Sequence, residues 1–158
     1  MRTSTRDQLE RAVKLENEEF SARVRSAEFQ QLNELADFVI AAAQHYGFAS
    51  NNLVAVGYSN GANIAASMLL LRPGALPTAI LFRAMVPLYP ETQPNVSSVR
   101  VWIGAGTYDP IIPMSDTKTL AELLRNAGAD VTIRDFQAGH ELTSQDLEAA
   151  RDWLTLLR

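Results

Sequence analysis

Hydrophobic positions change their spacing once along this chain, near residue 50. Before that point Leu9, Val13, Phe20, Val24 and Ala27 recur near one face, and Leu32, Leu35, Ala36, Val39 and Ala43 form a second, more apolar stripe. Both follow a period of about 3.6 residues, and no glycine precedes Gly47 and no proline precedes Pro73, so the reading is two helices. A bend is expected between Ser21 and Phe29, and Gly47 is the predicted stop after His45 and Tyr46. From Asn51 onward the pattern shortens into four apolar runs: Leu53–Val56, Thr78–Phe82, Arg100–Ile103 and Val131–Phe136. Three helical patterns separate or follow them: Ser59 to about Leu71, Ser115 to Asn126, and Thr143 to Leu157. Thr143 and Asp146 carry the spacing of a capping box. Strands alternating with helices imply βαβ units and a parallel sheet. Leu53–Val56 is apolar at every position, as expected of a strand buried on both faces. The fold class is therefore α/β, with about four parallel strands flanked by helices. A single domain over 1–158, with residues 1–30 as a helical N-terminal extension, is expected.

Composition narrows the function classes. A length of 158 residues fits one domain, and an apolar fraction of 47% can fill a core. The net charge of −4 weighs against a nucleic-acid partner, which a basic face would favour. No cysteine is present, which excludes a disulfide framework, thiolate catalysis and a cysteine zinc site. Two histidines, His45 and His140, are too few for a histidine-rich metal cluster, so no metal site is expected. The longest apolar stretch, Ile64 to Leu71, is interrupted by Ser67 and falls far below a membrane span. The opening MRTSTRDQLERAV has no apolar core of a secretory leader, so a cytoplasmic protein with no membrane partner is expected.

The chemistry sits where the first strand gives way to a helix. Gly57-Tyr58-Ser59-Asn60-Gly61 is a Gly-x-Ser-x-Gly sequence. A serine on so tight a strand-to-helix turn projects its hydroxyl into the open, and the flanking glycines leave room for neighbouring backbone. The helix start places N–H groups and a positive dipole end beside a developing oxyanion, with the backbone N–H of Asn60 as donor. A serine needs a base, and the base an orienting acid. His140, just after the last strand, is the candidate base; His45 lies near a helix C-terminus, where an imidazole serves the dipole. Asp109, in Gly104-Ala105-Gly106-Thr107-Tyr108-Asp109-Pro110, is the candidate acid, although an Asp-Pro pair also reads as a turn. Asp116, Asp130 and Asp135 read as structural.

The order Ser59, Asp109, His140 is that of the α/β-hydrolase triad. The segments GYSNGANIAASMLLLRPG, RAMVPLYPE, GAGTYDPIIP and AGHELTSQDLEAARDWL resemble the phospholipase/carboxylesterase branch of that family, over about Leu32 to Leu157. The resemblance implies Ser59, Asp109 and His140 as catalytic residues, small carboxylic esters as substrates, and no cofactor. It departs at the beginning: members of this kind carry early strands and a His-Gly-rich loop that donates a second oxyanion N–H. The charged helical pattern replaces both here, and loss of one such donor typically costs about 10² to 10³ in rate.

Two functions are carried forward. The first is a serine carboxylesterase acting through an acyl-enzyme. Met85, Val86, Leu88, Ile111 and Ile112 are its candidate substrate-pocket residues, of which Met85, Ile111 and Ile112 are singled out; each also reads as ordinary packing. A peptidase or thioesterase substrate is a weaker variant. The second is a truncated or degenerate hydrolase fold acting as an assembly module. A homodimer or higher homo-oligomer is expected in either case, because in the resembled family earlier strands cover the outer edge of Leu53–Val56, and without them that edge would be unpaired.

Overall fold

The structure, a computed structural model, describes Ala27 and Phe29–Leu157. The chain divides into two units, Met1–Leu35 and Ala36–Arg158. Described residues of the first unit are helical, and the second unit holds the sheet. The stripe from Leu9 to Val24, and most of the predicted bend, lie outside the described residues. A helix over residues 29–45 (α1) carries the second stripe and runs to His45. Within the second unit it buries Ala36 and Ala43, while Asp37 pairs with Arg72 at 2.6 Å.

The sheet contains four parallel strands in the order β1-β2-β3-β4: Val54–Tyr58, Thr78–Phe82, Arg100–Gly106 and Asp130–Phe136. Between and after them come α2 (Asn60–Leu71), α3 (Met114–Asn126) and α4 (Ser144–Thr155). Every predicted strand and helix of this region is present, with ends shifted by a few residues. β3 extends to Gly106, beyond the apolar run that marked it, because its last residues keep pairing with β4 as far as Gly106–Phe136.

Strand alternation assigns the two faces. Val54, Ile80, Phe82, Trp102 and Phe136 share one face and pack with Ala149, Ala150, Trp153 and Leu154 of α4. Phe82 and Trp102 meet edge-on, with ring centroids 5.3 Å apart. The amphipathic pattern of α4 is thus used against the sheet, and its Thr143–Asp146 capping box forms as the spacing predicted. α2 lies against β1 and β2, and α3 against β3 and β4.

One expectation is corrected. Burial on both faces belongs to β2 and β3, not to the first strand. β2 is buried at every position and β3 at all but Arg100. β1 pairs only with β2 among the described residues, so it is an edge strand, and Val56 is 66% exposed.

Candidate active site

The ends of β1, β2, β3 and β4 lie at one margin of the parallel sheet, and the loops leaving them build the site. β1 ends at Tyr58, and Ser59 makes the turn into α2 with φ 53° and ψ −115°. A positive φ is costly for a residue with a side chain and persists only where the surroundings impose it. They do: the Ser59 N–H donates to the Phe82 carbonyl at 2.8 Å, and its carbonyl accepts from the Asn63 N–H at 3.0 Å. Gly57 is required by close packing, since a Cβ there would lie 2.6 Å from the Gly61 backbone and the Ala62 nitrogen. Gly61 is not. A Cβ at that position meets open space among the described residues, so the second glycine of the motif makes no room for a neighbour here.

β3 and β4 deliver the other two groups. Past Gly106 the chain bends away from β3, where the N–H groups of Thr107 and Tyr108 donate to Phe136 and Ala138. This locks the two loops side by side. Gly106 permits it, because any Cβ there would strike the Gly139 carbonyl oxygen. Asp109 and His140 then meet: His140 Nδ1 lies 2.8 Å from Asp109 Oδ2, and His140 Nε2 lies 2.9 Å from Ser59 Oγ. Residues predicted as nucleophile, acid and base are thus brought into one hydrogen-bonded chain.

The electrostatics fix the proton positions. Burial pushes the Asp109 carboxyl up, but the N–H groups of Ile112 and Ile111, and then His140, outweigh it and hold the group below its ordinary value. Both N–H groups donate to Asp109 Oδ1, at 2.9 and 2.8 Å, leaving Oδ2 for the imidazole. An ionised Asp109 accepts from Nδ1–H, so the lone pair of neutral His140 sits on Nε2, facing the Ser59 hydroxyl. The Asp109 side chain is 1% exposed and that of His140 18%, so the acid is shielded while the imidazole keeps an edge open.

The remaining predicted residues divide. Asn60 is the first residue of α2, where the helix's own hydrogen bonding leaves N–H groups without a carbonyl partner. Met85 is 38% exposed and its N–H donates to Asn63 Oδ1 at 3.1 Å. Ile111 is 65% exposed. Ile112 is buried, and what it gives the site is its backbone N–H to Asp109. His45 ends α1 against the ring of Tyr46.

Three residues at the site escaped the sequence. The Tyr58 hydroxyl donates to the His140 carbonyl at 2.9 Å, and its ring lies 5.5 Å from the imidazole. Arg83, fully buried after β2, pairs with the equally buried Asp146 at 2.7 Å. A lone arginine directly after Ala79-Ile80-Leu81-Phe82 was the available signal, since a charge in that position needs a partner.

Residues 14–158 match the phospholipase/carboxylesterase family. The chain belongs to that family. It is 42% identical over 120 residues to the putative hydrolase MhqD of Bacillus subtilis, which covers 76% of this chain and 60% of the relative. Among solved structures, a Bacillus cereus carboxylesterase superposes with a TM-score of 0.76 at 43% identity, covering 80% of this chain and 59% of that one. A carboxylesterase from Mesorhizobium loti gives 0.76 at 31% identity, covering 81% and 61%. The chain thus spans about 60% of the length of these phospholipase/carboxylesterase relatives. The sheet described above is the α/β-hydrolase fold of the family over that span. Among the described residues no helix is long and apolar enough to cross a membrane.

Proposed function

We propose that the chain is a serine carboxylesterase acting on small, short-chain esters. The observation that carries this is the continuous contact from Ser59 Oγ through His140 to Asp109, with the serine held on a positive-φ turn. In this reading Ser59 Oγ attacks the ester carbonyl while its proton passes to His140 Nε2. The oxyanion forms beside the Asn60 N–H at the positive end of α2. The carbon–oxygen bond to the alcohol then breaks, and the imidazolium returns its proton to the departing oxygen. Water, deprotonated by the same imidazole, attacks the acyl carbon and releases the acid and Ser59. Asp109 keeps the ring oriented and stabilises the imidazolium. Met85 and Ile111 offer apolar surface for the acyl or alcohol group.

The test is exposure of the folded protein to a serine-directed fluorophosphonate alongside turnover of p-nitrophenyl acetate. Stoichiometric attachment at Ser59 together with turnover supports the reading. Folded protein that neither labels nor turns over overturns it.

A second reading, an assembly module, is favoured by the edge of β1. Val56 and Tyr58 are exposed beside backbone that pairs on one side only among the described residues. Such an edge recruits another strand, and a two-fold homodimer satisfies both copies at once. Sedimentation equilibrium at micromolar concentration tests the pairing: a dimer bears it out, and a stable monomer means that the edge is covered within one chain. A folded dimer that takes no fluorophosphonate is the result that favours the module over the esterase.

A further inference from the structure

The loop bearing His140 is anchored carbonyl by carbonyl. Gly139 O accepts from Arg83 Nε at 3.0 Å, His140 O from the Tyr58 hydroxyl at 2.9 Å, and Glu141 O from Arg83 Nη2 at 2.7 Å. The guanidinium therefore straddles the base, gripping the residues on either side of it. Its other three N–H groups are used as well. Nη1 reaches Gly104 O at 3.3 Å and Asp146 Oδ1 at 2.7 Å, and Nη2 reaches Asp146 Oδ2 at 2.9 Å. All five donors of the fork are engaged, a pattern that a lysine ammonium cannot reproduce. Arg83 is 0% exposed and holds φ at 55°, so this contact set is kept against both burial and backbone strain.

We infer that Arg83, clamped by Asp146, is a positioning residue that sets where the His140 imidazole stands between Ser59 and Asp109. The inference rests on the esterase reading for its kinetic consequence but not for its structural one. Gly104 O, the fifth acceptor, belongs to the strand that leads into the Asp109 loop, so one guanidinium ties the acid-bearing and base-bearing segments to β2. Glu141 completes the loop from outside: its carboxylate accepts from the Gly139 N–H at 3.1 Å, which holds that carboxyl below its ordinary value. Burial pushes the Asp146 carboxyl up, but the Arg83 fork and the Thr143 hydroxyl and N–H prevail and keep it below its ordinary value, as the clamp requires.

The test separates positioning from stability. Arg83→Met leaves a buried carboxylate unpaired and lowers the melting temperature whatever else Arg83 does. Arg83→Met combined with Asp146→Asn removes the charge and keeps the Thr143 cap, so it regains much of that melting temperature. The expected result is that kcat for p-nitrophenyl acetate stays down about 10- to 100-fold in the double variant with KM within about twofold, because a misplaced base is not restored by a sound core. The downfield His140 Nδ1 proton resonance is expected to broaden or vanish in parallel. If kcat returns with the melting temperature, or the resonance persists unshifted, the positioning role is overturned. Should the double variant not fold, Arg83→Lys, which keeps the ion pair but not the straddle, is read by the same two measures. A wild-type protein that shows no turnover but loses the resonance in these variants overturns the esterase reading and leaves the Arg83 assignment standing.

Discussion

The N–H of Ser59 donates to the carbonyl of Phe82 at 2.8 Å, so the residue directly before Arg83 holds the elbow serine. Two consecutive residues at the end of β2 thus anchor both sides of the site. Phe82 fixes the serine backbone, and Arg83 fixes the loop that carries the imidazole. β2 is buried at every position, which makes this the firmest platform the sheet offers.

Ser59→Ala is expected to abolish fluorophosphonate attachment and to lower ester turnover by at least about 10³-fold, since attack has no substitute nucleophile. The melting temperature should change little, because the hydroxyl's bond is to a partly exposed imidazole. Labelling followed by intact mass measurement, with a thermal melt of the same sample, checks both halves.

Asp109→Asn should lower kcat by about 10² to 10⁴ with little change in KM, because an amide no longer holds the Nδ1–H tautomer. In the wild type Asp109 stays ionised wherever an imidazole titrates, since its folded pKa lies below the ordinary value. The rate should therefore rise with pH on a single limb, since only a neutral imidazole can take the serine proton. A pH–rate profile between 5 and 8 that is flat, with chemistry limiting, counts against His140 as base.

Asp146 gives stability a defined acid limb. Its folded pKa is lowered, so the unfolded chain binds more protons between the two values. Its contribution is complete above the ordinary value of 3.8 and is lost as pH falls through the lower folded one. Asp146→Asn should be less stable than wild type at neutral pH and should lose less on acidification. Urea unfolding at a series of pH values from neutral to acid measures the two slopes.

The glycines of the site make opposite predictions. Gly106→Ala drives a methyl into the Gly139 carbonyl and should cost about 1–3 kcal/mol while displacing His140, so activity falls with stability. Gly61→Ala, with open space at its Cβ among the described residues and a place in the first turn of α2, should be neutral or slightly stabilising, within about 1 kcal/mol. Denaturation curves of the two variants, with ester turnover, check the contrast.

The sequence carried the strand-and-helix order because each element is short, strongly patterned and bounded by turn chemistry. Gly57-Tyr58-Ser59 announces its own turn, and Asp109 and His140 each come shortly after a patterned apolar run, which marks them as strand-end residues. What it did not carry was pairing at a distance. The apolarity of Leu53–Val56 reads as burial on both faces, yet Val56 lies exposed on a strand with one neighbour among the described residues, because apolarity alone does not say what packs on each face. Arg83 and Asp146 are 63 positions apart, and Asp146 already had a local explanation in the Thr143 cap. The contact that unites them depends on α4 crossing the sheet, which periodicity does not encode.

Asp146 serves two masters at once: its Oδ2 accepts from the Thr143 N–H and hydroxyl that begin α4, and also from Arg83. Fraying of that first turn is therefore not a silent surface fluctuation. Each opening of the α4 cap withdraws an acceptor from the guanidinium and slackens the loop around the base, well before the β2–β3 core comes apart. Heat should accordingly silence this site by a local, reversible opening below the temperature of global unfolding. Amide exchange in the opening turn of α4 would then count the fraction of molecules whose histidine is out of place.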